Sequence, residues 1–284
     1  MNALSHLPAE KQNEILQALE IIKLEADPEK VILFGSHATG KWVDSSYVED
    51  GITISYISDY DFLVILSDDK KGQEGQIISH IENRCEDFDG FVSVLANPIT
   101  HVNTGLLFGQ FFFMRIIDEG ITLYDKETTE FVSPKILTAE EARQKAKDYF
   151  DIWFRNGSEF LIDANNAFER QSYRNCVFYL HQAAENFYAT VLLVFEGYKP
   201  SMHSLQKMRI YSKHINRELF GLFRMPEDDQ YQYRLFDLLK RGYIEARYKP
   251  NYDISEIECK DLLDKLEQMH EIVKSLCVAK IESF

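Results

Sequence analysis

Apolar positions change their period along the first part of the chain. Between Pro8 and about Ala26, Ile15, Leu16, Leu19, Ile22 and Leu24 recur near a helical spacing, which predicts a helix closed by Asp27-Pro28. VILF, Val31 to Phe34, is an unbroken apolar run of strand length. Gly35-Ser36 ends it, and an irregular segment is expected as far as Glu49. Asp50-Gly51 is a hairpin-type turn leading into the alternating ITISYI, so the stretch from Asp44 to Ile57 looks like an inserted hairpin. SDYDFLVILS, Ser58 to Ser67, is a polar entry into a buried strand. The pattern then predicts a helix over Gln73–Glu86, a strand from Phe91 to Leu95, a helix from about Asn103 to Asp118 and a short strand at Ile121–Tyr124. Strands alternating with helices predict an α/β domain over residues 1–125, a mixed sheet with flanking helices.

Past Tyr124 the period is lost, and residues 126–138, with Pro134, read as a linker. Thr138 and Glu141 form a capping-box pattern, as do Ser255 and Glu258 further on. Helices are predicted near 139–165, 171–196, 203–216, 228–246 and 255–279, punctuated by Gly197, Pro200, Pro226 and Pro250. Residues 139–284 are therefore expected to form an all-α antiparallel bundle. The stripe Phe178, Phe187, Tyr188 and Phe195 reads as its core. Glu227-Asp228-Asp229 reads as a helix N-terminus.

Composition narrows the function classes. With 284 residues, 45% of them hydrophobic, the chain can build two cores, and it has no apolar run of membrane-spanning length. A net charge of −15 argues against a broad grip on nucleic acid, which needs a basic face. The N-terminus lacks a basic region followed by an apolar run, so no secretory leader is expected. Cys85, Cys176, Cys259 and Cys277 are scattered, without a zinc-type spacing, as in a reduced, cytoplasmic protein.

Two features carry candidate chemistry. Gly35-Ser36 in LFGSHATGKW puts the two smallest side chains at the end of a strand, where backbone amides approach an anion closely. An ordinary strand-to-helix turn has the same look. Asp59 and Asp61 stand two apart at the mouth of the next core strand, so their carboxylates share one face. Paired carboxylates repel unless a cation sits between them, and Mg²⁺ suits such a pair. A solvated loop with two turn-forming Asp residues is the plain alternative.

A strand ending in Gly-Ser, followed by Asp-x-Asp on the next core strand, resembles the polymerase-β-like nucleotidyltransferases, most nearly the minimal nucleotidyltransferases. LFGSHATGKW with SDYDFLVIL carries the likeness, and EGITLYD is similar to that domain's closing strand. The resemblance implies transfer of a nucleoside monophosphate from an NTP to a hydroxyl acceptor. By it, Gly35 and Ser36 hold phosphates, Lys41 adds positive charge, and Asp59 and Asp61 are catalytic and hold Mg²⁺ or Mn²⁺. Two departures stand out. The gap between the motifs is long, and Ser93 in FVSVLA occupies the place of the third acid of active members. Asp87, Asp89 and Asp118 are the acids that could substitute for it through a different backbone path.

The second half resembles the HEPN domain, through RNCVFYLHQAAENFYATVLLVFEGYKPSMHSLQKM and YIEARYKPNYDIS. Kanamycin-type nucleotidyltransferases share the plan of a transferase joined to a helical bundle. Many HEPN domains are ribonucleases with an Arg-x(4–6)-His motif, yet here Arg247 is followed by Tyr252 where histidine is expected. A phenol is a poor base at neutral pH. By analogy with nucleotide-binding HEPN domains, Arg247 and Lys249 are candidate phosphate ligands. Arg174 and His181 satisfy the ribonuclease spacing on an earlier helix, where His181 is expected to be an interhelical core histidine. His203 is expected in a loop or helix start.

The leading expectation is a Mg²⁺-dependent nucleotidyltransferase acting on a small molecule, protein or RNA, with a homodimer as the expected assembly. The alternatives are a nucleotide-binding regulatory module without catalysis, favoured by Ser93, and a toxin–antitoxin-type HEPN ribonuclease.

Overall fold

The computed structural model describes the chain apart from residues 1–2, 43, 50–51, 89, 200–203 and 224–228, and describes only the backbone of 44–49 and 52–57. The expected turn at Asp50-Gly51, Asp89, Pro200, His203, Pro226, Glu227 and Asp228 lie outside the described residues. The chain divides into two compact units, residues 1–136 and 137–284.

The first unit is a four-stranded mixed sheet in the order β5-β4-β1-β6. Strand β1 (Lys30–Phe34) runs antiparallel to β4 (Tyr60–Leu66) and to β6 (Ile121–Asp125), while β5 (Val92–Pro98) runs parallel to β4. Apolar runs without alternation mark strands covered on both faces. Val31, Ile32 and Leu33 of β1 are buried, as is every residue from Phe62 to Leu66. Truncating one of these, such as Leu33→Ala, is expected to cost ~2–5 kcal/mol.

Helix α1 (Ala9–Ala26) ends at Asp27 in the left-handed conformation (φ 37°), just before Pro28. Its buried face carries Ile15, Ala18, Leu19, Ile22 and Ala26. Leu16 and Leu24, which the spacing had placed with them, are exposed instead. Helix α3 (Glu74–Arg84) packs on α1 and β5 through Ile77, Ile78 and Ile81.

Three sequence expectations need correcting here. Asp44–Glu49 is a strand, β2, paired antiparallel with β3 (Ile52–Ile57), so only the inserted hairpin matches and the irregular segment does not. The helix expected over 103–118 is two helices, α4 (Ile99–Leu107) and α5 (Phe111–Glu119). Gly109 separates them at φ 65°, a conformation that costs glycine little. Residues 126–136 do not run free: Lys126 N–H donates to Glu29 O, Val132 N–H to Asn103 Oδ1, and Lys135 N–H to Leu106 O.

In the second unit, α6 (Ala139–Glu169) and α7 (Tyr173–Glu196) are joined by three residues and lie side by side. The buried positions of α6 are Ala146, Gly157, Leu161, Ala164 and Ala167, and Phe154 packs its ring on Phe187 of α7. A Cβ at Gly157 would stand 2.7 Å from the Phe187 ring, so glycine there lets the helices approach closely. Helix α7 is buried on most of its circumference, as an apolar central helix should be. It is flanked by α8 (Leu205–Ser212), α10 (Gln230–Arg241) and α12 (Glu256–Glu282). Both capping boxes form, at Thr138/Glu141 and Ser255/Glu258.

The helix expected near 203–216 is shorter, α8 ending at Ser212, and a separate α9 (Arg217–Gly221) starts after the Asn216 N-cap. Likewise 228–246 divides into α10 and α11 (Glu245–Tyr248) around Gly242. A Cβ at Gly242 would stand 2.8 Å from Val177 Cγ1, so the chain there lies hard against α7. Asp229 caps α10, the described part of the acidic run. Among the described residues no helix is long and apolar enough to cross a membrane. The four cysteines are free and buried.

Candidate functional site

The site in the first unit begins where β1 hands over to the short helix α2 (Gly35–Thr39). Gly35 has φ 75°, and a Cβ there would stand 2.5 Å from Asp61 Oδ2. Glycine is thus required twice, for its backbone angle and for the carboxylate that lies against its bare Cα. Ser36 follows, half-buried, its carbonyl accepting from Lys41 N–H at 2.9 Å. The Lys41 side chain is exposed.

Asp61 sits in a rung with Phe34 of β1 and Ser93 of β5. Asp59 lies just before β4, and both carboxylates belong to half-buried residues. Ser93 is buried, beside Asp61. Asp87 and Asp118 are exposed, the first upstream of β5 and the second near the end of α5. Among the described residues, no three His, Cys, Asp or Glu side chains form a ready-made metal cage. Two carboxylates of one strand mouth, with the Asp61 carboxylate against the bare Cα of Gly35, are a donor set that suits a hard divalent cation completed by other oxygens.

Behind this pair is a buried network that sequence reasoning passed over. The His37 ring is 1% exposed. Its Nδ1 lies 3.0 Å from Asp59 O, and since a carbonyl only accepts, Nδ1 carries the proton. His6 Nε2 in turn donates to His37 O at 2.7 Å. The imidazole packs on Tyr60, ring centres 4.4 Å apart, and stacks on Trp42 at 6.0 Å. Tyr60 OH donates to Glu14, and Lys11 lies 3.6 Å from the same carboxylate. Burial holds the His37 pKa below the ordinary histidine range, against a smaller upward pull from its bond to Asp59 O. The signal in the sequence was only a histidine two residues past Gly35.

In the second unit, Arg247 and Lys249 lie at and just after α11, both exposed. The Arg247 guanidinium sits among three rings, 4.7 Å from Phe178, 4.5 Å from Tyr243 and 4.8 Å from Tyr248. Its Nε donates to Tyr243 O at 2.6 Å. Lys249 pairs with Glu245 at 2.8 Å, and Arg241 pairs with the same carboxylate. Hydrogen bonds from Lys249 and then Arg241 hold Glu245 below the usual carboxylate range.

The segment is fastened from α7. Arg174 donates to the carbonyls of Ala246 at 2.9 Å and Lys249 at 2.6 Å, so its role is to close the end of α11. His181 is buried and its Nδ1 donates to Leu239 O at 2.9 Å, an interhelical bond between α7 and α10. Tyr252 is buried, its hydroxyl donating to Leu238 O at 2.9 Å, and burial pushes the phenol well above its usual range. Phe187 and Tyr188 are core, and Phe195 packs against it. Phe178 departs from the predicted stripe: it is half-buried and faces Arg247 and Tyr243.

Residues 150–276 match the HEPN domain family. The protein carries a HEPN domain over that span, preceded by a small mixed sheet with flanking helices. No curated protein matches the chain.

Proposed function

We propose that the first unit is a nucleotidyltransferase-like domain that binds an NTP with Mg²⁺ or Mn²⁺ at Gly35, Ser36, Asp59 and Asp61. The observation that carries this reading is the contact between the bare Cα of Gly35 and the Asp61 carboxylate. A turn that must be glycine, pressed on the Asp61 carboxylate at the mouth of a core strand, supports the reading because it sets small-residue backbone beside an acid. Asp59 and Asp61 would hold the cation, whose charge would steady the attacking and leaving oxygens of an in-line displacement. Gly35 and Ser36 would take the phosphates, and Lys41, free to reach from an exposed position, would add positive charge. A hydroxyl on a small molecule, a protein or an RNA would form a bond to the α-phosphorus as the bond to the β-phosphate breaks, with pyrophosphate leaving and the hydroxyl proton passing to water. In the HEPN domain, Arg247 and Lys249 would assist by binding phosphate, with two chains pairing as a homodimer.

Incubation with α-phosphate-labelled ATP, GTP, CTP and UTP tests this, with Mg²⁺ or Mn²⁺ and a cell extract as acceptor source. Label transfer that is lost in Asp59→Asn and Asp61→Asn is the expected result. Metal-dependent nucleotide binding without transfer by any NTP overturns catalysis and leaves the regulatory module, the second reading. Ser93 beside Asp61 favours that second reading, since serine is a poor metal ligand and no base at neutral pH. A toxin–antitoxin-type ribonuclease is disfavoured by Tyr252, whose hydroxyl is turned inward onto Leu238 O. RNA cleavage abolished by Arg247→Ala would reverse that judgement.

A further inference from the structure

Two peptide units separate Asp59 from Asp61, and the first of them joins Asp59 to Tyr60. Both of its polar ends are held. Its N–H, on Tyr60, donates to Phe91 O at 2.8 Å. Its carbonyl, on Asp59, accepts from His37 Nδ1 at 3.0 Å. A peptide unit fixed at both ends cannot rotate about the flanking Cα atoms without breaking a bond. Such a rotation would swing Asp59 relative to Asp61, because Asp61 is already locked in its rung between Phe34 and Ser93.

We propose that His37 is a positioning residue: by holding the Asp59 carbonyl it fixes the Asp59 carboxylate against Asp61 and so sets the divalent-cation affinity of the pair. The inference rests on the reading of that pair as a cation site. His37 is itself well placed for the task. Its own carbonyl accepts from His6, its ring is clamped between Tyr60 and Trp42, and it comes two residues after the Gly35 that touches Asp61. One residue therefore ties the Gly-Ser turn to the entry of β4. The bond acts behind the ligand, as outer-shell partners do in metal sites, where their loss weakens binding ~10–100-fold.

The test is titration of the full-length protein with Mn²⁺ alone, read by electron paramagnetic resonance of the free ion, alongside thermal unfolding in EDTA. His37→Asn places an amide N–H near the position of Nδ1, whereas His37→Gln places it near Nε2. The expected result is Mn²⁺ affinity within ~3-fold of the parent for His37→Asn and a ~10–100-fold loss for His37→Gln. Equal losses in the two variants, tracking equal losses of thermal stability, would mean that His37 only packs and would overturn the proposal. Imidazole ¹⁵N shifts showing the Nε2-protonated tautomer would overturn it independently of any metal. Asp61→Asn separates the two levels. If it abolishes Mn²⁺ binding while His37→Gln leaves it unchanged, the positioning role fails and the carboxylate site stands. If the parent binds no Mn²⁺, or Asp61→Asn changes nothing, the cation-site reading fails and takes this inference with it.

Discussion

Ser93 stands directly across from Asp61 in the parallel β4–β5 ladder. Residues paired in this way project to the same face of a sheet, so the Ser93 side chain shares the face that carries Asp61.

Ser93→Asp is therefore an informative variant. Ser93 is 3% exposed, so a new charge there is costly unless a cation neutralises it. The variant is expected to melt well below the parent in EDTA and to recover most of the difference in millimolar Mg²⁺, by linkage to the bound ion. Thermal scans in both conditions check this. An equal loss with and without Mg²⁺ would count against a cation at the pair.

Gly35→Ala is expected to be more damaging than an ordinary turn substitution. It meets a left-handed backbone angle and a contact of 2.5 Å with Asp61 Oδ2 at once. The angle alone costs ~1–3 kcal/mol, and relieving the contact must displace the carboxylate. Nucleotide-dependent stabilisation should vanish even at temperatures where the variant remains folded, which a ligand-dependent thermal shift would read.

Tyr252 offers a test of the ribonuclease alternative. Replacing it with histidine gives the chain an Arg-x(4)-His spacing from Arg247, yet the position is buried and its hydroxyl is committed to Leu238 O. Tyr252→His is expected to create no RNA cleavage and to lower stability by ~2 kcal/mol or more, while Tyr252→Phe loses only the hydrogen bond, ~1 kcal/mol. Gel assays on unstructured RNA and urea unfolding provide the two readouts.

The acid limb of HEPN-domain stability should report Glu258. Burial raises its pKa, but bonds from Arg234 and from the Ser255 backbone and hydroxyl outweigh burial, and the folded value lies below the ordinary 4.5. A carboxyl with a depressed folded pKa contributes stability that is present above its unfolded pKa and is lost as pH falls through the folded one. Urea unfolding between pH 3 and 7 should thus show Glu258→Gln less stable than the parent by about 1 kcal/mol near neutrality. The gap should narrow as pH falls below the ordinary carboxylate value and close as the parent's carboxyl takes its proton.

Much of this architecture is written in local patterns. The VILF and FLVIL runs are strands because continuous apolar segments of that length must be covered on both faces, and the capping boxes at Thr138 and Ser255 begin their helices where hydroxyl and carboxylate can exchange bonds with the backbone. Misses fall where tertiary contacts decide. The interruptions at Gly109 and Gly242 depend on what the backbone must approach, and Phe178 leaves the core stripe because Arg247, far along the chain, offers its ring a cation. Gly35, Asp59 and Asp61 could be picked out from spacing. His37 could not, because its significance lies in a carbonyl contributed by another residue's backbone, and backbone acceptors leave no trace in a sequence pattern.

The stretch after β6 has a practical corollary for dissecting the protein. Thr128 donates to the Glu29 carboxylate, Phe131 lies 5.6 Å from the Lys30 ammonium, and Asn103 donates to Glu130 O while accepting from Val132 N–H. These residues behave as a selvedge on the sheet domain rather than as slack thread between two cloths. A fragment ended at Asp125 would forfeit partners for Glu29 and Asn103 and leave Lys30 with a frayed neighbour, whereas one carried through Ile136 keeps them. Residues added between Ile136 and the Thr138 cap, and nowhere earlier, would therefore leave these bonds of the sheet domain in place.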